Sequence, residues 1–463
     1  EDPDLQRLFD IACRKCRRNL TRFGDATVLV EGGGYEKIWL ETQPMGGEMY
    51  ALRSLEAALN NCLLFMRYQR EDGRIPGSIQ CTDGRIEPQF NKYQGFCFPF
   101  PALNLYYLIG RDRDYLEQLR ETLTRFDACL WKTRHLSGDG LLSSFCVYDT
   151  GEDNALRYGD APCWWEEDLP PEGYQVVPMR SMDVTSWSFA ARDTLAAICQ
   201  ILGDPAEQAW RKKAAETAAA LRKGLWDEGR GALFDRDKNG NTVPVLCHNT
   251  LRCMYWGSIS QGMADQFVKR HLLNPSEFWT PFPLPSVAAD DPAFRNAPEN
   301  NWSGQPEGLT YQRAILALER YGYDRIVTAL GRRLIDAVYR NGCRFTQQYD
   351  PFTGKASLVY SSLKSFIYNS KALLTSPWLL ISLFFASSYV ISSSFLSNSI
   401  SFSLILIIGC DSFVPFILFK FSNSFDISLL VCSTFSSANL FPTFFISAFF
   451  GSIFIYPFQI YNN

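Results

Sequence analysis

The chain has 463 residues, of which 46% are hydrophobic and 20% charged, with a formal net charge of -4 at pH 7. That length suffices for one large domain or two or three ordinary ones, and a mildly acidic chain without a basic stripe excludes nucleic acid as the partner. Its 14 cysteines follow no framework spacing, and Cys13-Arg14-Lys15-Cys16 is a lone C-x-x-C inside a helical pattern, so reduced thiols are expected rather than zinc or redox chemistry. The first residue is not Met, so the N-terminus is expected to be incomplete; the residues present start with no charged n-region followed by an apolar h-region, and a cytoplasmic location is expected.

From the first residues onward, helical periodicity dominates. Leu5, Leu8, Phe9 and Ala12 give a 3.6-residue apolar stripe that predicts a helix over about 4–21. A second helix is predicted over 47–69, closing at Asp72-Gly73. Helix pairs then follow at 98–110 with 113–131, 182–202 with 205–226, 247–257 with 260–271, and 305–321 with 323–340. Leu202-Gly203-Asp204-Pro205 separates one such pair with a helix stop and a proline near the next start. Strand signals are few and short, at Ala26–Val30 and Gln175–Val177. This rhythm predicts an all-α fold, with stacked helical hairpins closing into a toroid. The predicted pairs supply five hairpins, and the sixth of an (α/α)6 toroid falls where the composition changes.

That change comes near Val359. From Tyr360 to Asn463 the chain is built of Ser, Phe, Leu and Ile, and its only charged residues are Lys364, Lys371, Asp411, Lys420 and Asp426. Trp378–Leu396 and Phe402–Phe419 reach membrane-span hydropathy, but Ser, Asp411 and Pro415 interrupt them. The same texture arises when the opposite strand of an AT-rich gene is read. Residues 359–463 are therefore expected to be a gene-model or assembly artefact. A membrane partner is expected only if this tail is genuine, and function is read from residues 1–358.

Chemistry concentrates in Tyr148-Asp149-Thr150-Gly151-Glu152-Asp153-Asn154-Ala155-Leu156-Arg157-Tyr158, a connection between helical stretches with four carboxylates. Trp131 and Trp164-Trp165 flank Asp153, and a carboxyl beside apolar rings loses solvation and can hold a proton at neutral pH. The residues leave open a solvated acidic loop. Arg157 either bonds a sugar hydroxyl or neutralises Asp149 or Asp153. Trp39 and Glu41, in Ile38-Trp39-Leu40-Glu41, suit a carbohydrate subsite or a packed core. The preceding Glu31-Gly32-Gly33-Gly34 lacks the Gly-Lys-Ser/Thr ending of a phosphate loop. In Asn301-Trp302-Ser303-Gly304-Gln305-Pro306-Glu307-Gly308, Ser303 is a predicted N-cap, with Pro306 and Glu307 in the first turn. His135, His248 and His271 have no metal-ligand spacing, so no metal is expected.

In that order, these segments resemble the motifs of the trehalase and glycoside hydrolase family 63 group, most strongly its mannosylglycerate-hydrolase-like members. Thr150-Gly151-Glu152-Asp153-Asn154-Ala155-Leu156-Arg157 resembles the group's acid-bearing segment, and Ile38–Glu41 its Trp-x-Trp-Asp segment. Tyr68–Pro76 resembles the Gln-x-x-Asp-Gly-x-Ile-Pro helix end, and Phe278–Val287 the Phe-x-x-x-x-Pro-x-x-Ser-Val loop. Asn301–Pro306 resembles the Trp-x-Gly-Pro helix start, and Tyr349–Gly354 the Tyr-Asp-Pro-x-Thr-Gly turn.

The resemblance implies an (α/α)6 toroid that hydrolyses an α-glucoside or α-mannoside with inversion. Asp153 falls on the general acid. The general base of the group lies two residues before the Tyr of the Tyr-Asp-Pro turn, where this chain has Gln347, and an amide cannot take a proton from water. Either the base has moved, with Glu307 the first choice and Glu152 or Asp350 behind it, or the protein binds sugars without cleaving them. Trp39, Glu41, Gln94, Asn154, Arg157, Trp302, Gln347 and Tyr349 are then expected around a carbohydrate substrate. No cofactor is expected, because two carboxylates suffice for the chemistry.

Overall fold

The computed structural model describes residues 2–32, 36–298, 302–343 and 345–357, together with the backbone of five strands between residues 403 and 458. Helix α1 (Pro3–Arg18) begins where the Asp2 carboxylate accepts from the Asp4 and Leu5 amides, and it buries Leu8, Ala12 and Cys16. It ends three residues short of the predicted stop. Leu20–Phe23 (β1) instead pairs antiparallel with Ala26–Leu29 (β2) around Gly24, whose φ of +61° suits the turn.

The single helix predicted over 47–69 is two helices, α2 (Gln43–Tyr50) and α3 (Leu55–Arg67), with Ser54 Oγ accepting from Ala57 N at 3.2 Å to start the second. Gly47 lets them pack closely, since a Cβ there would stand 3.0 Å from Asn61 Cβ and 3.1 Å from the Ala58 backbone. A three-stranded antiparallel sheet joins Lys37–Trp39 (β3), which precedes α2, to Ser78–Thr82 (β4) and Arg85–Gln89 (β5), which follow α3, and its strands are too short to announce themselves in the sequence.

The remaining helices are α4 (Pro99–Leu108), α5 (Arg113–Arg134), α6 (Met182–Leu202), α7 (Glu207–Leu225), α8 (Asn249–Trp256), α9 (Gln261–Phe267), α10 (Gly308–Arg320) and α11 (Asp324–Arg340). Side-chain caps from Asp112, Ser181 and Ser260 start three of them, and left-handed Gly203 and Gly257 end two. Gln175–Val177 is not a strand: Asp160 takes the Gln175 amide, and only one further backbone bond, Lys238 N to Val176 O, reaches this stretch. The paired residues lie just beyond, Met179–Arg180 against Ser143–Ser144.

Alternate helices form the inner wall. Helix α2 packs on α4, α4 on α6, α6 on α8, and α8 on α10. Gln312 on α10 donates to Met45 O on α2 at 3.2 Å, so the wall described here returns towards its start. This is an all-α arrangement of stacked helical pairs, and long connections at the helix ends supply the cavity described below.

The chain divides into units Glu1–Ile391 and Ser392–Asn463. In the second unit, Ser403–Ile407, Phe416–Lys420 and Ser428–Leu430 form one antiparallel sheet, and Thr443–Phe449 pairs with Ser452–Phe458. The apolar window Trp378–Leu396 lies outside the described residues. Among the described residues no helix is long and apolar enough to cross a membrane.

Candidate active site

The acidic connection is fixed from three directions. Asp149 is buried, and its carboxylate accepts from Tyr93 N (3.1 Å) and Phe145 N (2.9 Å) and pairs with Arg134 at 3.3 Å. Gln94 N and Gly95 N donate to Tyr148 O and Asp149 O, lacing segment 93–95 to this loop. On the far side, Trp302 N donates to Asp153 O at 3.0 Å, while Ser303 Oγ accepts from Leu156 N and donates to Asn154 O. Gly151 adopts φ +72°, and a Cβ there would fall 2.2 Å from a Glu41 carboxyl oxygen, so this turn closes over Glu41 only as glycine.

Behind the loop lies a buried ionic network. Arg157 pairs with Glu152, Asp183 and Asp235, and Arg252 reaches Glu152 (3.1 Å) and Asp183 (3.0 Å). Asn249 Nδ2 donates to Glu152 (2.9 Å) and Asp183 (2.8 Å), and His248 Nε2 lies 3.2 Å from Glu152. Burial opposes the charge of Glu152, yet Arg157, Arg252 and His248 override it and hold the carboxyl well below its ordinary range. Burial lowers the pKa of His248 and so favours its neutral imidazole. Asp235 is pushed up to about 6, because burial and the neighbouring Asp183 outweigh Arg157.

In front of the loop is a cavity of about 430 Å³, lined by residues of segments 31–42, 89–94, 148–164 and 302–312 and by Gln347. Its acidic residues are Glu31, Glu41, Asp153 and Glu307; Trp39, Trp164 and Trp302 supply rings, and Gln94, Gln312 and Gln347 supply amides. Lys37 and Lys92 place their ammonium groups 5.3 and 5.5 Å from the Trp39 ring centroid. Burial, with Lys37 close by, brings Lys92 down to about 8. Glu41 is tied to Arg313 (2.8 Å) and Arg252 (3.5 Å), but burial outweighs both and raises it to about 8.

Glu307 differs in having no ion-pair partner among the described residues. It is 1% exposed, and neither carboxyl oxygen makes a well-formed hydrogen bond to protein. Burial first, and then the Asp153 charge, raise its pKa well above the ordinary value, against the pull of the neighbouring Gln348 and Gln347 amides. Its backbone is firmly held: Gly308 N donates to Gln347 O at 2.8 Å, and Tyr349 N donates to Pro306 O.

The structure brings most of the sequence-predicted residues together. Asp153, Glu307, Trp39, Glu41, Gln94, Trp302 and Gln347 line one cavity. Three others do not line it. Arg157 spends its guanidinium on Glu152, Asp183 and Asp235, neither on a sugar nor on Asp149 or Asp153. Tyr349 is buried and stacked on Phe282 at 4.3 Å between centroids. Asn154 is exposed at φ +61° and contributes its carbonyl to Ser303.

Trp131 lies on α5 under Arg192 rather than beside Asp153, and of the tryptophan pair only Trp164 lines the cavity. Ser303 is no helix cap, because α10 starts later and Glu307 itself occupies the N-cap position. Glu152 is consumed by cations, and the Asp350 carboxylate accepts from Asn296, Phe352 N and Thr353 N in its own turn. Among the described residues no cluster of three His, Cys, Asp or Glu is placed to hold a metal ion.

Sequence reasoning missed Glu31, Lys37 and Lys92 in the cavity and Asp183, Asp235, Arg252 and Arg313 behind it. Asp183, Arg252 and Arg313 carried a weak signal, a charge inside an apolar helical pattern, and Asp235, in the connection after α7, carried none. Glu31 and the lysines carried none, because their segments read as loop.

A wall of helices beside a cleft lined by several carboxylates and tryptophans is the arrangement of an all-α glycosidase. Residues 48–368 match the family model described as "Mannosylglycerate hydrolase MGH1-like glycoside hydrolase domain", and the chain belongs to that family. A glycoside hydrolase family 63 mannosylglycerate hydrolase from Thermus thermophilus, solved with glucose, superposes with TM-score 0.63 at 19% identity, covering 82% of this chain and 99% of that one. The neutral trehalase of Saccharomyces cerevisiae gives TM-score 0.56 at 13% identity, over 78% of this chain and 73% of that one. A rhamnosidase from Klebsiella oxytoca with rhamnose bound gives TM-score 0.57 at 13% identity, covering 84% and 64%.

Proposed function

We propose that this glycosidase cleaves an α-glucoside- or α-mannoside-like bond with inversion, Asp153 giving its proton to the leaving oxygen and Glu307 taking one from the attacking water. The observation that carries the reading is that Asp153 and Glu307 line the same cavity from separately anchored segments, while Gln347 brings only an amide to it. An inverting pair works with about 6.5–9.5 Å between carboxyl groups, which leaves room for the water. The surroundings of Glu307 raise its pKa, so to act as base it must ionise. Water and sugar hydroxyls donating to its two oxygens would favour that.

Trp39 between Lys37 and Lys92 gives one wall both a sugar-stacking ring and positive charge. That suits an aglycone carrying a carboxylate, the chemistry named in the mannosylglycerate hydrolase relatives.

The test is a panel of α- and β-aryl glycosides and α-mannosylglycerate, with the anomer of the released sugar followed by NMR. Asp153→Asn is expected to lower kcat by roughly 10²–10⁴ on unactivated substrates while sugar binding persists. Retained activity in that variant, or release of the unrotated anomer, sinks the assignment. A second reading, motivated by Gln347 at the family's base position, is a sugar-binding relative without activity. Hydrolysis that survives in Gln347→Ala and dies in Asp153→Asn excludes it.

A further inference from the structure

The cavity holds two acids that the acid–base pair does not use, and one of them, Glu41, is tied to Arg313 and Arg252. Glu31 leaves the end of β2 and lines the cavity with Asp153 and Glu307. Its backbone is as well fixed as that of a catalytic group needs to be. Val30 N donates to Asn19 O at 3.0 Å, and Asn19 Nδ2 returns to Glu31 O at 3.3 Å. One residue further back, the buried Asn61 amide both accepts from Leu29 N and donates to Leu29 O at 3.0 Å, and it also donates to Gln43 O at the start of α2. A strand pinned at two successive residues therefore delivers this carboxylate to the wall.

Like Glu307, and unlike Glu41, Glu31 has no ion-pair partner among the described residues. Burial and the Asp153 charge push it up to about 7, and its own charge adds to the shift of Glu307, so the three acids interact in one space. Glu307 supplies the independent sign of a missing ligand: a carboxyl 1% exposed whose oxygens have the Gln347 and Gln348 amides nearby but no well-formed hydrogen bond. A buried acceptor left that way is costly unless a donor arrives. The smallest donor able to serve two carboxylates at once is a water molecule, which has two O–H bonds.

We propose that Glu31 and Glu307 together hold the attacking water, which makes Glu31 a further catalytic residue of this site. The idea rests on the reading of Asp153 and Glu307 as acid and base. The water donates one O–H to each carboxylate and aims a lone pair at the anomeric carbon. As the new carbon–oxygen bond forms, the bond to the aglycone breaks and the Asp153 proton passes to the departing oxygen. Glu307 takes one proton of the water. The other stays on the oxygen, still donated to Glu31, and leaves as the hydroxyl hydrogen of the inverted sugar.

The test uses the full chain and an α-glycosyl fluoride, which needs little help in leaving. Glu31→Ala is expected to lower kcat roughly 30- to 100-fold with KM changed less than about twofold, and Glu31→Gln, which keeps an acceptor oxygen, to lose less. Sodium azide should restore turnover to Glu31→Ala and yield the β-glycosyl azide, the nucleophile entering the space vacated at the water position. A matching thermal midpoint and sugar affinity exclude misfolding as the cause. The proposal is overturned by unchanged kinetics, by a raised KM with kcat intact (Glu31 would then hold the sugar), or by loss without azide product. If wild type and all variants leave every α-glycoside intact, the acid–base reading itself has failed. A working wild type with an inert Glu31→Ala that azide does not rescue defeats only this inference.

Discussion

Glu152 and Asp153 are neighbours in the chain and face opposite environments. Glu152 points back into a crowd of guanidinium groups, where Arg157 and Arg252 hold it ionised. Asp153 lines the cavity and raises the pKa of two further acids there, Glu31 and Glu307. The difference teaches that carboxyl chemistry here is set by what burial is matched with. Where cations outweigh burial, as at Glu152, the carboxylate stays ionised and structural; at Glu41 burial outweighs two arginines and the acid still lines the cavity. Matched with other carboxylates, a buried carboxylate becomes a group ready to hold or exchange a proton near neutral pH. Removing a member should therefore have opposite effects on stability in the two regions.

The largest effect belongs to the region behind the loop. Replacing Arg157 with Leu leaves Glu152, Asp183 and Asp235 close together with only Arg252, which reaches the first two, to offset them. Breaking a buried pair in this way costs roughly 3–5 kcal/mol. Urea unfolding should show this as a large fall in the midpoint, and turnover should fall with it because Asp153 is four residues away on the same loop. A variant that unfolds like the wild type would mean that Arg252 and Asn249 alone satisfy the cluster.

The next effect runs the other way. Glu307 has a folded pKa above its ordinary value of 4.5, so the folded chain binds its proton more tightly than the unfolded chain does. Stability from this group is present in full below about 4.5 and is lost as pH rises towards the folded value, at up to about 1.4 kcal/mol per unit. Glu307→Gln removes that loss. It should melt like the wild type near pH 4 and above it at pH 8, while hydrolysis is abolished. That pairing is the stability–activity trade-off expected of a group with the proposed role. A variant less stable than wild type at pH 8 would show that Glu307 is structural.

How much of this was legible in the sequence follows the same division. Helix positions were legible because long apolar stripes repeat every 3.6 residues: α5, α6, α7, α10 and α11 lie close to the predicted spans. The break at Ala51–Ser54 was not, because the close packing of α3 on α2 at Gly47 leaves no local pattern. Asp153 and Trp302 were legible from the resemblance. The fate of Arg157 was not, since the three acids that claim it come from residues 152, 183 and 235, and only folding brings them together. Glu31 was read as the edge of a glycine-rich loop. What makes it a site residue is the strand before it and its pinning by Asn19 and Asn61, none of which is a local pattern.

The smallest expected effect lies at the rim, where neither kind of carboxylate acts. Trp164 lines the cavity yet is 56% exposed, with its ring 6.3 Å from Tyr148. An indole half in solvent contributes little to stability, because most of its surface is never removed from water. Its apolar face is available to the ring of a bound sugar or aglycone, a contact of about 1 kcal/mol by analogy with aromatic pairs. Trp164→Ala should therefore raise KM by roughly fivefold and leave kcat and the urea midpoint near wild type, the signature of binding that is equal in ground and transition states. A fall in kcat would place Trp164 with Asp153 and Glu307 in the chemistry. A fall in stability alone would place it with Arg157 in the scaffold, and the rim would then cease to be a region of its own.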